Sequence, residues 1–145
     1  MIGLLQRVTE AAVSVDGETV GEIGPGLMVL VAVHRDDTEK DIGRLAERIL
    51  GYRVFPDSEG RMNRSIRDDS KSLLLVPQFT LAADTKKGTR ASFTRAASPE
   101  KGRDYFDRLV GACRDGLAGV ETGEFGADMQ VSLINDGPVT FWLES

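Results

Sequence analysis

Leu73-Leu74-Leu75-Val76-Pro77-Gln78-Phe79-Thr80-Leu81 is the stretch on which the fold turns. Four apolar residues in a row near mid-chain read as a strand buried on both faces. The run then meets a polar pair, Gln78 and Thr80, with Phe79 between them. The pattern predicts a strand over 73–81 whose stiff body ends in an open, polar tip, a common place to present chemistry.

Upstream, residues 65–72 read as irregular and 56–64 as a polar loop around Gly60, with a short strand at 52–55. Ile42, Leu45, Ile49 and Leu50 recur at helical spacing and predict a helix over 39–50. Thr38 is its N-cap, with Asp41 three residues on, close to a capping box. The apolar run 27–33 predicts a central strand, and 2–8, 11–15 and 19–23 predict three more. Asp16-Gly17 supplies the hairpin turn between the last two. Downstream, 82–98 lacks any period, and an unstructured stretch of that length reads as a functional loop. Ser98-Pro99-Glu100 opens a second helix, with Tyr105, Phe106, Leu109, Val110 and Cys113 on one face. Strands at 129–134 and 139–143 flank the Gly137-Pro138 break, with a short one near 121–125. This order predicts an α/β chain, a mixed sheet system with two main helices packed on it.

The 145 residues suit one domain with one sizeable core, taken as 1–145. No apolar run approaches the ~20 residues that cross a bilayer. The first residues lack a basic region followed by an apolar core. Cys113 is the single cysteine and can form no internal disulfide, so the expected location is cytoplasmic, with no membrane partner. A net charge of −5 argues against coating nucleic acid through bulk charge, though not against gripping an end through a local basic patch.

The usual chemistries fail one by one. His34 is the only histidine, and a metal site needs several ligands, so neither a metal nor a cofactor is expected. A Ser–His or Cys–His arrangement would need His34 as its base. Cys113 falls on the apolar face of a helix and reads as core. No glycine-rich phosphate loop joins a strand to a helix. There remain Gln78, Phe79 and Thr80, the Gly137-Pro138 break, and a loop carrying Lys86, Lys87, Arg90 and Arg95. Backbone N–H groups at such a site can stabilise an oxyanion without a side chain.

Two motifs then resemble those of the D-aminoacyl-tRNA deacylases: Pro77-Gln78-Phe79-Thr80-Leu81 and Asn135-Asp136-Gly137-Pro138-Val139-Thr140. Gln6-Arg7-Val8, Ala82-Ala83-Asp84 and the segment from Ala127 to Leu133 are similar too, so the likeness spans the chain in one order. The resemblance implies a barrel-like fold and a homodimer that hydrolyses the ester between a D-amino acid and the 3′ end of tRNA. It implies a cis Gly137-Pro138 bond inserted into the partner's active site. The carbonyls of Gly137 and Pro138 would hold the substrate's α-amino group, reject L side chains by contact and let glycine through. Arg7 would brace that loop and Met129 line the substrate site. The Phe79 N–H would serve the oxyanion, with help from the 2′-OH of the terminal adenosine. Thr80 has no base beside it in the sequence and reads as positioning rather than nucleophilic. Lys86, Lys87, Arg90 and Arg95 become candidates for phosphate contacts.

One residue departs from the family pattern: Pro77 stands where the motif has serine. Proline removes an N–H and a hydroxyl, and keeps Val76 extended. It is similar to a sister branch acting on L-alanine mischarged to tRNA, which gives a relaxed-chirality deacylase as an alternative. A non-catalytic protein that binds aminoacyl-tRNA ends is the other.

Overall fold

A computed structural model describes residues 1–145. Its axis is β1 (Ile2–Val15). One edge of β1 pairs antiparallel with β2 (Glu18–Ile23) through residues 11–15 and with β3 (Gly26–Ala32) through residues 2–8. The other edge pairs with β8 (Gln130–Glu144), from Ile2 opposite Glu144 to Ser14 opposite Gln130. Here the expectation of separate strands at 2–8 and 11–15 is corrected. Glu10 and Ala11 continue the pairing opposite Ile134 and Leu133, so Thr9-Glu10 is an irregularity within one strand. The strands expected at 129–134 and 139–143 are likewise one strand, β8.

β3 pairs parallel with β6 (Ser72–Pro77), and β6 pairs parallel with β7 (Val120–Thr122). β2 folds back onto β6 and β7: a Cβ on Gly21 would lie 2.5 Å from the Thr122 carbonyl oxygen. The mixed sheet is thereby curled into a nearly closed barrel.

The apolar run of β6 is buried on both faces because it serves two cores. Leu73 and Leu75 join the core formed with α1 (Glu39–Gly51) and α3 (Pro99–Gly116). Leu74 and Val76, pointing the other way, join Val8, Val13 and Met28 inside the barrel. All four are at most 1% exposed. The strand stops at Pro77, short of the expected 81, and Phe79–Ala82 forms a turn of 3-10 helix. The Gln78 N–H bonds the Val31 carbonyl at 2.7 Å, so the ring nitrogen of Pro77 faces the β7 side. β7 has already ended there, its Thr122 standing opposite Leu75, and the missing N–H costs no ladder bond.

Two short elements lay below the reach of periodicity. The hairpin β4 (Phe55–Pro56) and β5 (Met62–Arg64) occupies part of the stretches read as a strand at 52–55 and a loop at 56–64. In the segment read as irregular, α2 (Ile66–Asp69) is opened by Ser65, whose N–H bonds the Asp68 carboxylate at 2.8 Å.

The predicted capping at α1 is present: the Thr38 N–H donates to the Asp41 carboxylate at 2.7 Å. The Ser145 hydroxyl donates to the other Asp41 oxygen at 2.7 Å, tying the end of β8 to the start of α1. The Thr38 backbone, then Ser145, hold the Asp41 carboxyl down to about 2 from its ordinary 3.8. A depressed carboxyl stabilises the fold fully above its unfolded value and ceases to as pH falls through the folded one. Asp41→Asn is therefore expected to lower the urea midpoint at neutral pH, with the gap from wild type closing between about pH 4 and pH 2. A gap of constant size down to pH 2 would mean that the charge of Asp41 contributes nothing.

Candidate active site

Gln78, Phe79 and Thr80 sit just past the end of β6, on the turn rather than on a strand tip. The Gln78 side-chain amide donates to the Thr80 hydroxyl at 2.5 Å. As first residue of the turn, Phe79 has its N–H ahead of the turn's own hydrogen bonds. Phe79 as a whole is 58% exposed. A cavity of about 220 Å³ opens on one side, walled by Val31, Val33, Gln78, Phe79, Phe106 and Phe125. A second, of about 280 Å³, involves Val76, Pro77, Phe79, Met129 and Val131. Pro77, Gln78 and Phe79 line both. Phe125 reaches the first cavity because α3 carries Gly102 beneath it, where a Cβ would come within 3.2 Å of the ring.

The Gly137-Pro138 segment is a bulge thrown out of β8. Asn135 stands opposite Val8 and Thr140 opposite Gln6, so four residues of β8 span the place of one residue of β1, Arg7. The Gly137-Pro138 peptide bond is cis. Asn135 closes the base of the bulge with its side chain: Oδ1 accepts the Val139 N–H at 2.7 Å and Nδ2 donates to the Thr140 hydroxyl at 2.9 Å. Arg7 lies underneath, its side chain 14% exposed. Its Nη1 donates to the Val54 carbonyl at 2.6 Å and its Nε to the Asp136 carbonyl at 2.9 Å. The Asp136 carboxylate is 3.5 Å from Nε. Gly137 and Pro138 themselves are exposed. Neither residue lines either cavity beside Phe79.

The structure thus brings Pro77, Gln78, Phe79, Thr80 and Met129 together, and Arg7 together with Gly137 and Pro138. It keeps the two groups apart within one chain. Two contributors escaped the reading of the sequence. Phe125 was placed at the end of the short strand expected near 121–125; that strand is β7, which ends at Thr122, so Phe125 lies beyond it on a loop whose path the sequence does not show. Asn135 was seen as part of a motif, but its role depends on a bulge that only the pairing reveals.

A family profile described as D-Tyr-tRNA(Tyr) deacylase matches residues 4–144. The chain belongs to that family. A relative from Alkalilimnicola ehrlichii, named D-aminoacyl-tRNA deacylase, is 66% identical over the whole chain and 97% of its own length. One of the same name from Escherichia coli K12 is 55% identical over 99% of each chain. Among solved structures, one named c-Myc DNA Unwinding Element Binding Protein superposes with a TM-score of 0.96 at 37% identity, over 100% of this chain and 99% of the other. A probable eukaryotic D-amino acid tRNA deacylase shares the fold, with a TM-score of 0.85 at 19% identity over 99% and 98% of the two chains. Membership in this deacylase family makes the chain a hydrolase.

For a member of the deacylase family, the chain offers little side-chain acid–base chemistry at the turn. Thr80 is exposed, and its hydroxyl is bonded by an amide rather than by a base. His34, the only imidazole, faces the Arg95 carbonyl at 3.3 Å. Burial pushes the Cys113 thiol up to about 12, which leaves it inert in the core as expected. Lys86, Lys87, Arg90 and Arg95 all lie exposed on the loop between the turn and α3, none paired with a carboxylate. That loop is tied at its neck by Asp84 and Ser92, which exchange backbone bonds of 2.8 and 3.1 Å.

Proposed function

We propose that this chain, one domain over residues 1–145, is a cytoplasmic homodimer that hydrolyses D-aminoacyl-tRNA to free D-amino acid and tRNA. The observation that carries the reading is the outward bulge: Gly137 and Pro138 are braced by Arg7 and Asn135, yet stand away from their own chain's Gln78–Phe79 cavities. A second subunit can present the same bulge to those cavities. In this reading the terminal adenosine enters the cavity of about 220 Å³ beside Phe125, and the aminoacyl group lies toward Met129. Water adds to the ester carbonyl with the 2′-OH assisting. The Phe79 N–H stabilises the oxyanion, and the bond to the ribose oxygen breaks as that oxygen takes a proton. Gln78 orients Thr80, which positions the substrate. The carbonyls of the partner subunit's Gly137 and the partner subunit's Pro138 hold the α-ammonium. An L side chain then meets backbone, a D side chain points away, and glycine passes, which extends the activity to glycine mischarged on alanine tRNA. Lys86, Lys87, Arg90 and Arg95 contact the phosphates of the tRNA end.

The test is a set of deacylation time courses on D-Tyr-tRNA, L-Tyr-tRNA and Gly-tRNA. Loss of the D and glycyl substrates with the L substrate intact is the expected result. Intact D-Tyr-tRNA would overturn the activity, and loss of D and L together would overturn the backbone filter.

A further inference from the structure

Few large apolar side chains of this protein are exposed, and two of them touch. Phe79 is 58% and Phe93 45% exposed, with ring centroids 5.3 Å apart and planes inclined at 51°. Phe93 sits on the basic loop, within the 82–98 stretch expected to be a functional loop, where the sequence alone did not single it out. Tilted rings at that distance attract one another, so the pair presents one continuous aromatic step. The backbone holds the step in place. Ser92, immediately before Phe93, exchanges two bonds with Asp84, the Phe93 carbonyl accepts the Ala96 N–H at 3.1 Å, and Ala97 bonds Val33 at 2.9 Å.

We propose that Phe93, together with the ring of Phe79, stacks an unpaired base of the tRNA end immediately upstream of the reacting nucleotide. The inference rests on the deacylase reading above and adds a substrate-contacting residue to it. The backbone of Phe79 serves the ester, while its ring forms the rim of the cavity assigned to the terminal nucleoside. A single strand leaving that cavity over the rim meets Phe93 next. Single-stranded nucleic acid is held by aromatic faces flanked by cations that follow the phosphates. Both parts are on one loop here. Lys86, Lys87, Arg90 and Arg95 share it with Phe93 and have no carboxylate partner, although the chain as a whole carries −5. The nearby acid, Asp84, is occupied by the Lys86 N–H at 3.0 Å. A base fits this setting better than an apolar protein surface, which would have to bury four unpaired cations beside the rings.

The experiment compares wild type, Phe93→Leu and Phe93→Tyr on D-Tyr-tRNA and on the 3′ D-tyrosyl ester of adenosine, which lacks every upstream base. Phe93→Leu is expected to raise KM about tenfold on tRNA, with kcat within about twofold. It should leave the adenosine ester untouched, and Phe93→Tyr should restore the tRNA value. A merely structural role would move both substrates alike, and that outcome overturns the inference. So does an unchanged KM on tRNA, or a loss of dimer in sedimentation that parallels the loss of affinity, since the rings would then belong to the subunit contact. Wild type inactive on both substrates would overturn the deacylase reading and the inference with it. Wild type active with Phe93→Leu unchanged overturns the inference alone.

Discussion

Arg7→Ala should lower D-aminoacyl-tRNA hydrolysis by about a hundredfold while leaving a folded protein. Arg7 holds the bulge to the body of the chain through three contacts: the Val54 carbonyl, the Asp136 carbonyl and the Asp136 carboxylate. Hydrogen bonds from a charged group are each worth about 1.5–3 kcal/mol when removal strands a partner. The Val54 carbonyl belongs to a buried residue, so part of that cost will appear in stability. A loss of about 2 kcal/mol would lower the melting temperature by several degrees in a chain of this length. The larger effect is on geometry. Without Arg7 the bulge is closed only at its base, through Asn135, and its tip is free to wander. A displacement of about 1 Å in a substrate-positioning group costs on the order of a hundredfold in rate. Arg7→Lys should recover little, because one ammonium on a flexible stem cannot match the fork that spans Val54 and Asp136. Rates on D-Tyr-tRNA and L-Tyr-tRNA, beside a thermal melt, decide the matter. Wild-type rate and selectivity in Arg7→Ala would mean that Asn135 supports the bulge unaided.

What could be read from the sequence divides by the range of the interaction. Helix starts are local, and Thr38 with Asp41 and Ser98 with Pro99 mark α1 and α3 where the structure has them. The apolar run at 73–76 was legible as doubly buried because each of its residues has a core to face. The fusion of 2–8 with 11–15, and of 129–134 with 139–143, was not legible. Each gap is bridged by pairing between β1 and β8, whose partners lie more than a hundred residues apart. The turn that begins at Phe79 was misread as strand through 81 for the same reason: nothing local announces that β7 ends at Thr122 and that pairing with β3 ends at Val31, which leaves 79–81 without a partner. Gln78, Phe79, Thr80 and the Gly137-Pro138 break stood out as a polar strand end and a break between strands, but their roles came from family resemblance and not from any pattern of acids and bases. Their separation into two groups within one chain is a property of the fold alone. Phe93 was missed because an aromatic residue in an aperiodic loop carries no signal until a neighbour, Phe79, is seen beside it.

Gly137→Ala tests whether the tip of the bulge, as distinct from its brace, carries the substrate contact. Gly137 has φ +147°, a backbone conformation that L side chains rarely adopt. A Cβ there would lie 2.6 Å from Val139 Cγ2 and 2.7 Å from the Val139 nitrogen. The second of these is backbone, and it cannot step aside, because the Val139 N–H is fixed by Asn135. The strain amounts to about 1–3 kcal/mol. With one end of the bulge held by Arg7 at Asp136 and the other by Asn135 at Val139, it can be relieved only by shifting Gly137 and Pro138 themselves. The expected result is a fall of about 10–100-fold in D-Tyr-tRNA hydrolysis, the rate equivalent of that strain, together with a smaller ratio of D to L rates. Gly60→Ala is the control. Gly60 has φ +79° with nothing within 4 Å of a built Cβ, and it lies in the β4–β5 hairpin away from both cavities. It should cost about 1 kcal/mol of stability and leave both rates where they were. If Gly137→Ala behaves like Gly60→Ala, stability reduced and rates intact, the bulge does not touch the substrate, and the selection of chirality must be sought among the residues around Met129 and Pro77.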